Sequence, residues 1–393
     1  MPFTLTPENT LPTDASSATL VGRAWIPGLP GGPSPIVLRG DGVFDLSEHF
    51  PTVRDLLEEE APLLSIRQVT GKFVCNIEAL LANTGAHSDP TKPFLLAPVD
   101  LQVIKAAGVT FAASMIERVI EEKAGGDAAK ADNVRAIVRE SIGDNLRAVK
   151  PGSEQAMRLK ALLIEQDMWS QYLEVGIGPD AEIFTKAPTL SAVGSGNEIG
   201  IHPGSKWNNP EPEVVLAVNS RGQICGATLG NDVNLRDVEG RSALLLGKAK
   251  DNNASCAIGP FIRLFDEQYD LDTVRACVVD LEVIGTEGYQ LNGTSSMAQI
   301  SRDLEDLTGQ TLNNCHQYPD GFVLFLGTLF APIEDRDKPG AGFTHKLGDR
   351  VRISSPLLGC LHNLVTYSDV AKPWTFGLGA LIHNLGKRGL LSH

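Results

Sequence analysis

Apolar and polar positions alternate with a period near two at both ends of the chain, and with a helical period in between. Residues 1–95 set the strand-like runs ATLVGRAWIPG and LPGGPSPIVLRGDGVFDL among PGG and GDG turn signals. A short helix is predicted near VRDLLEEEA. From Lys92, KPFLLAPVD reads as the crossing into a second domain. The pattern therefore predicts a small N-terminal α/β domain over 1–95 and a larger domain over 96–393.

Over about 112–170 the periodicity changes. MIERVIEEKAGG, AKADNVRAIVRESIG and SEQAMRLKALLIEQDMWSQYL are charged, with apolar residues at helical spacing, and they break at Gly125-Gly126, Gly143 and Pro151-Gly152. This is read as a helical insert covering one side of the core, with a lid or an oligomer contact as the alternatives. From about Ile183 strands return in EVVLAVN, GQICGATLG, CVVDLEVIG, GFVLFLGTLF and DRVRISSP. The predicted class is α+β, mainly β.

Composition narrows the function. At 393 residues the chain exceeds the ~250–300 at which single cores stop growing. A formal charge of -14 argues against nucleic acid and against anionic membranes as partners. No apolar run approaches the ~18 residues of a membrane span, and MPFTLTPENTLPTD shows neither part of a secretory signal. The cysteines at 75, 225, 256, 277, 315 and 360 lack CxxC spacing and read as reduced thiols, so a cytoplasmic location is expected. The histidines have no zinc-binding spacing, and no nucleophile elbow or phosphate loop is present. GSGNEIG at 194–200 reads as a turn.

Chemistry concentrates in WNNPEPEVVLAVN. Glu211 and Glu213 project from the same side of a strand whose ladder Pro212 interrupts. Two like charges so placed repel unless a cation joins them, and oxygen ligands suit Mg²⁺, Mn²⁺ or Ca²⁺. Taken alone, the pattern also describes a solvated strand edge. A hairpin about Arg221-Gly222 would return Asp232 to the level of the pair. Downstream, Lys248 and Lys250 share strand parity before Gly259-Pro260. A lysine desolvated beside a cation would have a lowered pKa and suit a general base.

In order, PEPEVVL, LGNDVNLRDVE, LGKAKDNNASCAIGP, NGTSSM, FLGTLFAPI and LGDRVRISSPLLGCLHNLV resemble the fumarylacetoacetate hydrolase superfamily over about residues 96–370. The resemblance implies a mixed β-sandwich roll that holds Mg²⁺, acts on small 2-keto acids and forms homodimers or homotetramers. It implies Glu211, Glu213 and Asp232 as metal ligands and Lys250, nine residues before Gly259-Pro260, as the catalytic lysine. It further implies Arg236, Lys186 of the Phe184-Thr185-Lys186 element, Gly327 and Thr328 at the substrate.

The departure lies in GVTFAASMIER, which stands where hydrolases of the family carry an NYxxHAxE-like segment. Ser114 takes the place of the histidine, and Glu117 keeps the acid. Without an imidazole to activate water, a lyase is favoured. The insert and the phrases NNPEPE, KDNNASCAIGPF and HQYPDG resemble the 2-keto-3-deoxy-pentonate dehydratase branch. The implied reaction is Mg²⁺-dependent dehydration of 2-keto-3-deoxy-D-pentonate to α-ketoglutarate semialdehyde through a metal-stabilised enolate. In it Lys250 is the base, Glu117 the acid and Ser114 a hydrogen-bonding partner for water. The alternatives are hydrolysis of the C–C bond of an acylpyruvate or 2,4-diketo acid, decarboxylation or keto–enol isomerisation on the same fold, and a non-catalytic ligand-binding or structural protein.

Overall fold

The computed structural model describes residues 4–125, 127, 129–131, 149–165, 169–330, 332, 334–338 and 342–391. Among them, one large sheet runs Lys72–Asn76, Gly42–Asp45, Gly32–Arg39, Leu20–Ile26, Cys256–Leu264, Ile224–Asp232, Pro212–Val218, Phe322–Phe325, Val103–Gly108, Glu182–Ala187, with Phe94–Leu96 also paired to Leu20–Ile26. A second sheet runs Gln290–Ser296, Val278–Ile284, Arg350–Ser355, Gly359–Tyr367, Glu198–Ile201. Pairing is antiparallel except for Phe322–Phe325 on Val103–Gly108 and Gly359–Tyr367 on Glu198–Ile201. The expected boundary at 95/96 falls inside this frame. Leu20 and Val21 pair with Arg263 and Ile262, so the N-terminal strands continue the large sheet.

The Pro212–Val218 strand shows why the sheets stack. Val214, Leu216 and Val218 pack against Val279, Leu281, Val283 and Ile353 of the second sheet. The alternate residues, Val215 and Ala217, pack on the other face with Val53, Leu56 and Leu57 of an N-terminal helix. Both faces are covered, which accounts for an unbroken apolar run where an alternating one would suit a solvated sheet. The second sheet has the alternating kind: Val279, Leu281 and Val283 are buried, while Val278 and Asp280 face solvent.

Ala112–Ala124, Glu154–Glu165 and Gln171–Ile177 form helices of the predicted insert. The helix expected across AKADNVRAIVRESIG, together with Gly126 and Gly143, lies almost wholly outside the described residues. Gly125 ends the first helix at φ 65°, a left-handed position suited to glycine. Met115, Val119, Ile120 and Ala124 pack with Tyr172, Leu173, Ile177 and Trp207. Ser114, Glu117, Arg118 and Glu121 recur at the same three- and four-residue spacing and so form a second, polar stripe. No helix among the described residues is long and apolar enough to cross a membrane.

One predicted element differs. LLLGKAK forms a short 3₁₀ turn and the Leu246–Lys250 helix, not a strand. Residues two apart on a helix point in opposing directions, and Lys248 is exposed while Lys250 is buried.

Candidate active site

Glu211 and Glu213 flank Pro212 at the head of its strand, and the pleat sends both to one side. The turn at Arg221-Gly222, with Gly222 at φ 79°, returns the chain so that Gly230 faces Glu213 and Asn231 faces Pro212. Asp232 then arrives beside the pair, its backbone N–H donating to the Glu211 carbonyl at 3.0 Å. One carboxylate oxygen from each of the three residues lies within 4.8 Å of the others, and all three residues are buried.

Cations brace two members of this cluster. The Lys250 ammonium is 2.5 Å from Glu211 and 3.0 Å from Asp232. Lys186 reaches the other Asp232 oxygen at 2.7 Å, and Arg118 the other Glu211 oxygen at 2.6 Å. Glu213 is held by the Gly327 N–H at 2.6 Å and, among the described residues, has no ion pair. Burial and the charges of Asp232 and Glu211 push its pKa well above the carboxylate range.

Around the cluster stand seven carboxyl groups (Glu117, Glu121, Glu182, Glu211, Glu213, Asp232, Glu239) and four cationic ones (Arg118, Lys186, Arg236, Lys250). If all were ionised the excess of buried negative charge would be costly; the raised pKa values of Glu213 and Glu182 let protons offset part of it, and a divalent cation could take their place. The donor set contains oxygen only, which fits a hard ion such as Mg²⁺, Mn²⁺ or Ca²⁺.

No family model matches the chain. It is 33% identical over 158 residues to the 2-dehydro-3-deoxy-D-arabinonate dehydratase of Saccharolobus solfataricus, covering 39% of this chain and 51% of that protein. It is 30% identical over 205 residues to the "Probable 2-keto-3-deoxyxylonate dehydratase" of Haloferax volcanii, covering 51% of this chain and 66% of that protein. The matches thus span about half to just under two thirds of these curated relatives. A solved 2-keto-3-deoxy-D-arabinonate dehydratase, complexed with magnesium and 2,5-dioxopentanoate, shares the fold at TM-score 0.61 and 21% identity over 88% of this chain and 99% of that one. A fumarylacetoacetate hydrolase from Exiguobacterium antarcticum shares it at 0.50 and 16% over 89% and 100%. The chain has the fold of these fumarylacetoacetate hydrolase-like proteins.

Within this fold, Glu211, Glu213, Asp232, Lys250, Ser114, Gly327 and Thr328 line one cavity. Another cavity, of about 450 Å³, lies between residues 82–88 and the second sheet and holds none of the expected site residues. Glu117, Lys186 and Arg236 do not line the active-site cavity. Arg236 spends its guanidinium on Glu121 at 2.7 Å, the Pro332 carbonyl at 2.8 Å and the Trp207 ring at 4.3 Å. Glu117 faces Arg236 at 3.6 Å. Lys186 sits at a shift in register between its strand and Val103–Gly108, which re-aims it toward Asp232 and the Val233 carbonyl. The Gly327 N–H is occupied by Glu213, so it offers nothing to a substrate carboxylate. Ser114 Oγ donates to the Phe111 carbonyl at 2.9 Å.

Lys250 departs furthest from expectation. Burial alone would lower its pKa, but in the metal-free site Asp232, Glu211 and Glu239 outweigh burial and raise it, the reverse of the lowered value expected of a base. A second shifted group in the cavity wall is Glu182. Burial, then Glu239 and Glu211, push its carboxyl up to about 7 against the pull of Arg118 and Lys250. Its strand pairs Glu182 with Gly108, and a Cβ at Gly108 would lie 1.9 Å from the Glu182 carboxylate. The bare glycine lets that carboxylate lie across the neighbouring strand, into the cavity. Arg118 and Glu239 complete the wall, 2.7 Å apart, and Arg118 also meets Glu121 at 2.7 Å.

The sequence carried signals for these missed residues. Glu182 shares strand parity with Phe184, Arg118 lies four residues after Ser114 on a helix, and Glu239 closes the LRDVE phrase.

Proposed function

We propose that the protein is a hydro-lyase that dehydrates 2-keto-3-deoxy-D-pentonate to α-ketoglutarate semialdehyde with Mg²⁺. Glu211, Glu213 and Asp232 would hold the ion. When bound, the ion supplies a Lewis acid for the carboxylate and 2-keto oxygens, which makes the C3 protons more acidic. Glu182, with a pKa near neutrality, takes a C3 proton, since a general base works best when its pKa lies near the working pH. The same carboxyl can return that proton to the C4 hydroxyl as it leaves as water. The Lys250 ammonium supplies positive charge beside the forming anion. Ser114 and Thr328 offer hydroxyls to the departing water and the substrate carboxylate. Loss of a C5 proton and protonation at C3 then give the C4–C5 enol, which becomes the aldehyde as C4 takes up a proton and the C5 hydroxyl releases one.

One observation carries this reading: a cavity with three metal-competent carboxylates, a glutamic acid tuned near neutrality and no histidine among its lining residues. The two dehydratase relatives support it. A hydrolytic water would lack an imidazole base. The test is incubation with 2-keto-3-deoxy-D-pentonate and Mg²⁺, followed by mass spectrometry. Loss of one water is expected. An unchanged substrate, or pyruvate released from an acylpyruvate instead, would overturn it.

A further inference from the structure

Among the described residues, three non-glycine positions have positive φ: Val109 at 56°, Leu190 at 66° and Ala254 at 60°. Only Val109 lines the active-site cavity, and only it is β-branched. A β-branched side chain crowds the backbone in this region, so the conformation persists where its neighbours over-determine it. They do so here. Gly108 is held in register with Glu182. Thr110 Oγ1 donates to the Leu326 carbonyl at 2.6 Å, and the Thr110 carbonyl accepts from the Ser301 N–H at 2.8 Å and its hydroxyl at 2.7 Å. With the chain fixed on both sides, the Val109 side chain has one place to go. It is buried beside the glycine over which Glu182 reaches.

The order of strands sets the distance. Glu213 and Asp232 stand on neighbouring strands, and Val103–Gly108 lies two places beyond Pro212–Val218, across Phe322–Phe325. At about 4.8 Å per strand, the strand leading to Val109 is roughly 10 Å from that of Glu213. A keto acid held through C1 and C2 comes close to spanning that gap: from the Glu213 carboxylate, two metal–oxygen contacts of about 2.1 Å each, a carbonyl bond of about 1.2 Å and three further carbon–carbon bonds advancing about 4 Å reach roughly 9 Å. Its last carbons therefore arrive at Val109.

We propose that the Val109 isopropyl group is the wall that sets substrate length, admitting a five-carbon 2-keto-3-deoxy acid and rejecting a six-carbon one. This rests on the function proposed above. It assigns the strained backbone a purpose, which is to hold Val109 at the cavity wall.

The experiment measures kcat/KM for five- and six-carbon 2-keto-3-deoxy acids, with Mg²⁺, in wild type, Val109→Gly, Val109→Ala and Val109→Ile. Glycine suits the backbone and clears the wall, so the six-to-five ratio should rise about tenfold or more, the size of effect a few carbons make in an apolar pocket. Alanine should give an intermediate rise, and isoleucine should lower the five-carbon value itself. Circular dichroism and Mg²⁺ titration of each variant separate altered selectivity from misfolding. Wild type that converts both acids equally, or a ratio unmoved in folded Val109→Gly and Val109→Ala, overturns the assignment of Val109. Wild type that converts neither acid overturns the dehydratase reading, and the Val109 assignment falls with it.

Discussion

The candidate site has two halves of different origin. One is carried by adjoining strands of a single hairpin, where Glu211, Glu213 and Asp232 are fixed by the pleat and by register. The other is carried by the Ala112–Ala124 helix and the edge strand Glu182–Ala187, which supply Ser114, Arg118 and Glu182 from distant sequence. The strand half gathers like charges, and the other half governs what those charges can do. Arg118 balances Glu211, Glu121 and Glu239 together. Glu182 holds a proton near neutrality because burial and those same acids disfavour its charge.

Removing a carboxylate from the strand half should have the largest effect. Glu213→Gln is expected to lower kcat by about 10³-fold or more and to weaken Mg²⁺ binding in calorimetry. Equal activity in that variant would break the metal assignment. Glu182→Gln comes next: turnover should fall by about 10²–10⁴-fold, the usual worth of a general base, with Mg²⁺ affinity retained. If Mg²⁺ affinity fell in step with turnover, the division of labour between the halves would be wrong.

The pH dependence has a definite sign. Below about 7 the Glu182 carboxyl is protonated and cannot accept, so kcat/KM should rise with pH and level off at or below that value, because a bound cation favours the anion. Stability of the metal-free protein runs the other way. Between the ordinary glutamate value and about 7 the folded state keeps a proton that the unfolded chain has released, so this group's contribution falls as pH rises. Melting temperatures at pH 5 and 7.5 in Glu182→Gln and wild type check this, and the variant should show the smaller pH response.

Smaller effects sharpen the comparison further. Arg118→Lys, which keeps the charge but loses the fork, should weaken Mg²⁺ binding about 10–100-fold through Glu211, as partners of metal ligands typically do. An unchanged binding isotherm would make Arg118 purely structural. Glu117→Gln should change turnover less than about tenfold, since Glu117 faces Arg236 and does not line the cavity. A loss as large as that of a general acid, about 10² or more, would restore its expected role.

The same division explains what could be read from the sequence. The carboxylates of ExE and GND declare themselves because strand spacing is local and a hairpin converts it directly into proximity. The sandwich was legible for a similar reason, since EVVLAV carries its burial as an unbroken apolar run and CVVDLEVI as an alternating one. Lys250 was located, but the direction of its pKa shift in the metal-free site was not. Its charge state depends on Asp232 and Glu211, residues 18 and 39 positions away, and not on burial alone. Lys186 was displaced by a shift in register that no periodicity reports. Glu182 needed a glycine on the neighbouring strand to reach the cavity, a relation visible only once Gly108 and Glu182 are paired. Arg236 was matched by spacing, but its side chain is taken up by Glu121, Pro332 and Trp207.

The central claim is that a cation held by the strand half is required for water loss from a 2-keto acid. The most direct measurement follows semialdehyde formation from 2-keto-3-deoxy-D-pentonate by proton NMR while Mg²⁺ is titrated into chelator-treated protein. The account predicts no product without the ion, and a rate that saturates along the same curve as Mg²⁺ binding. Undiminished product in excess chelator would contradict it.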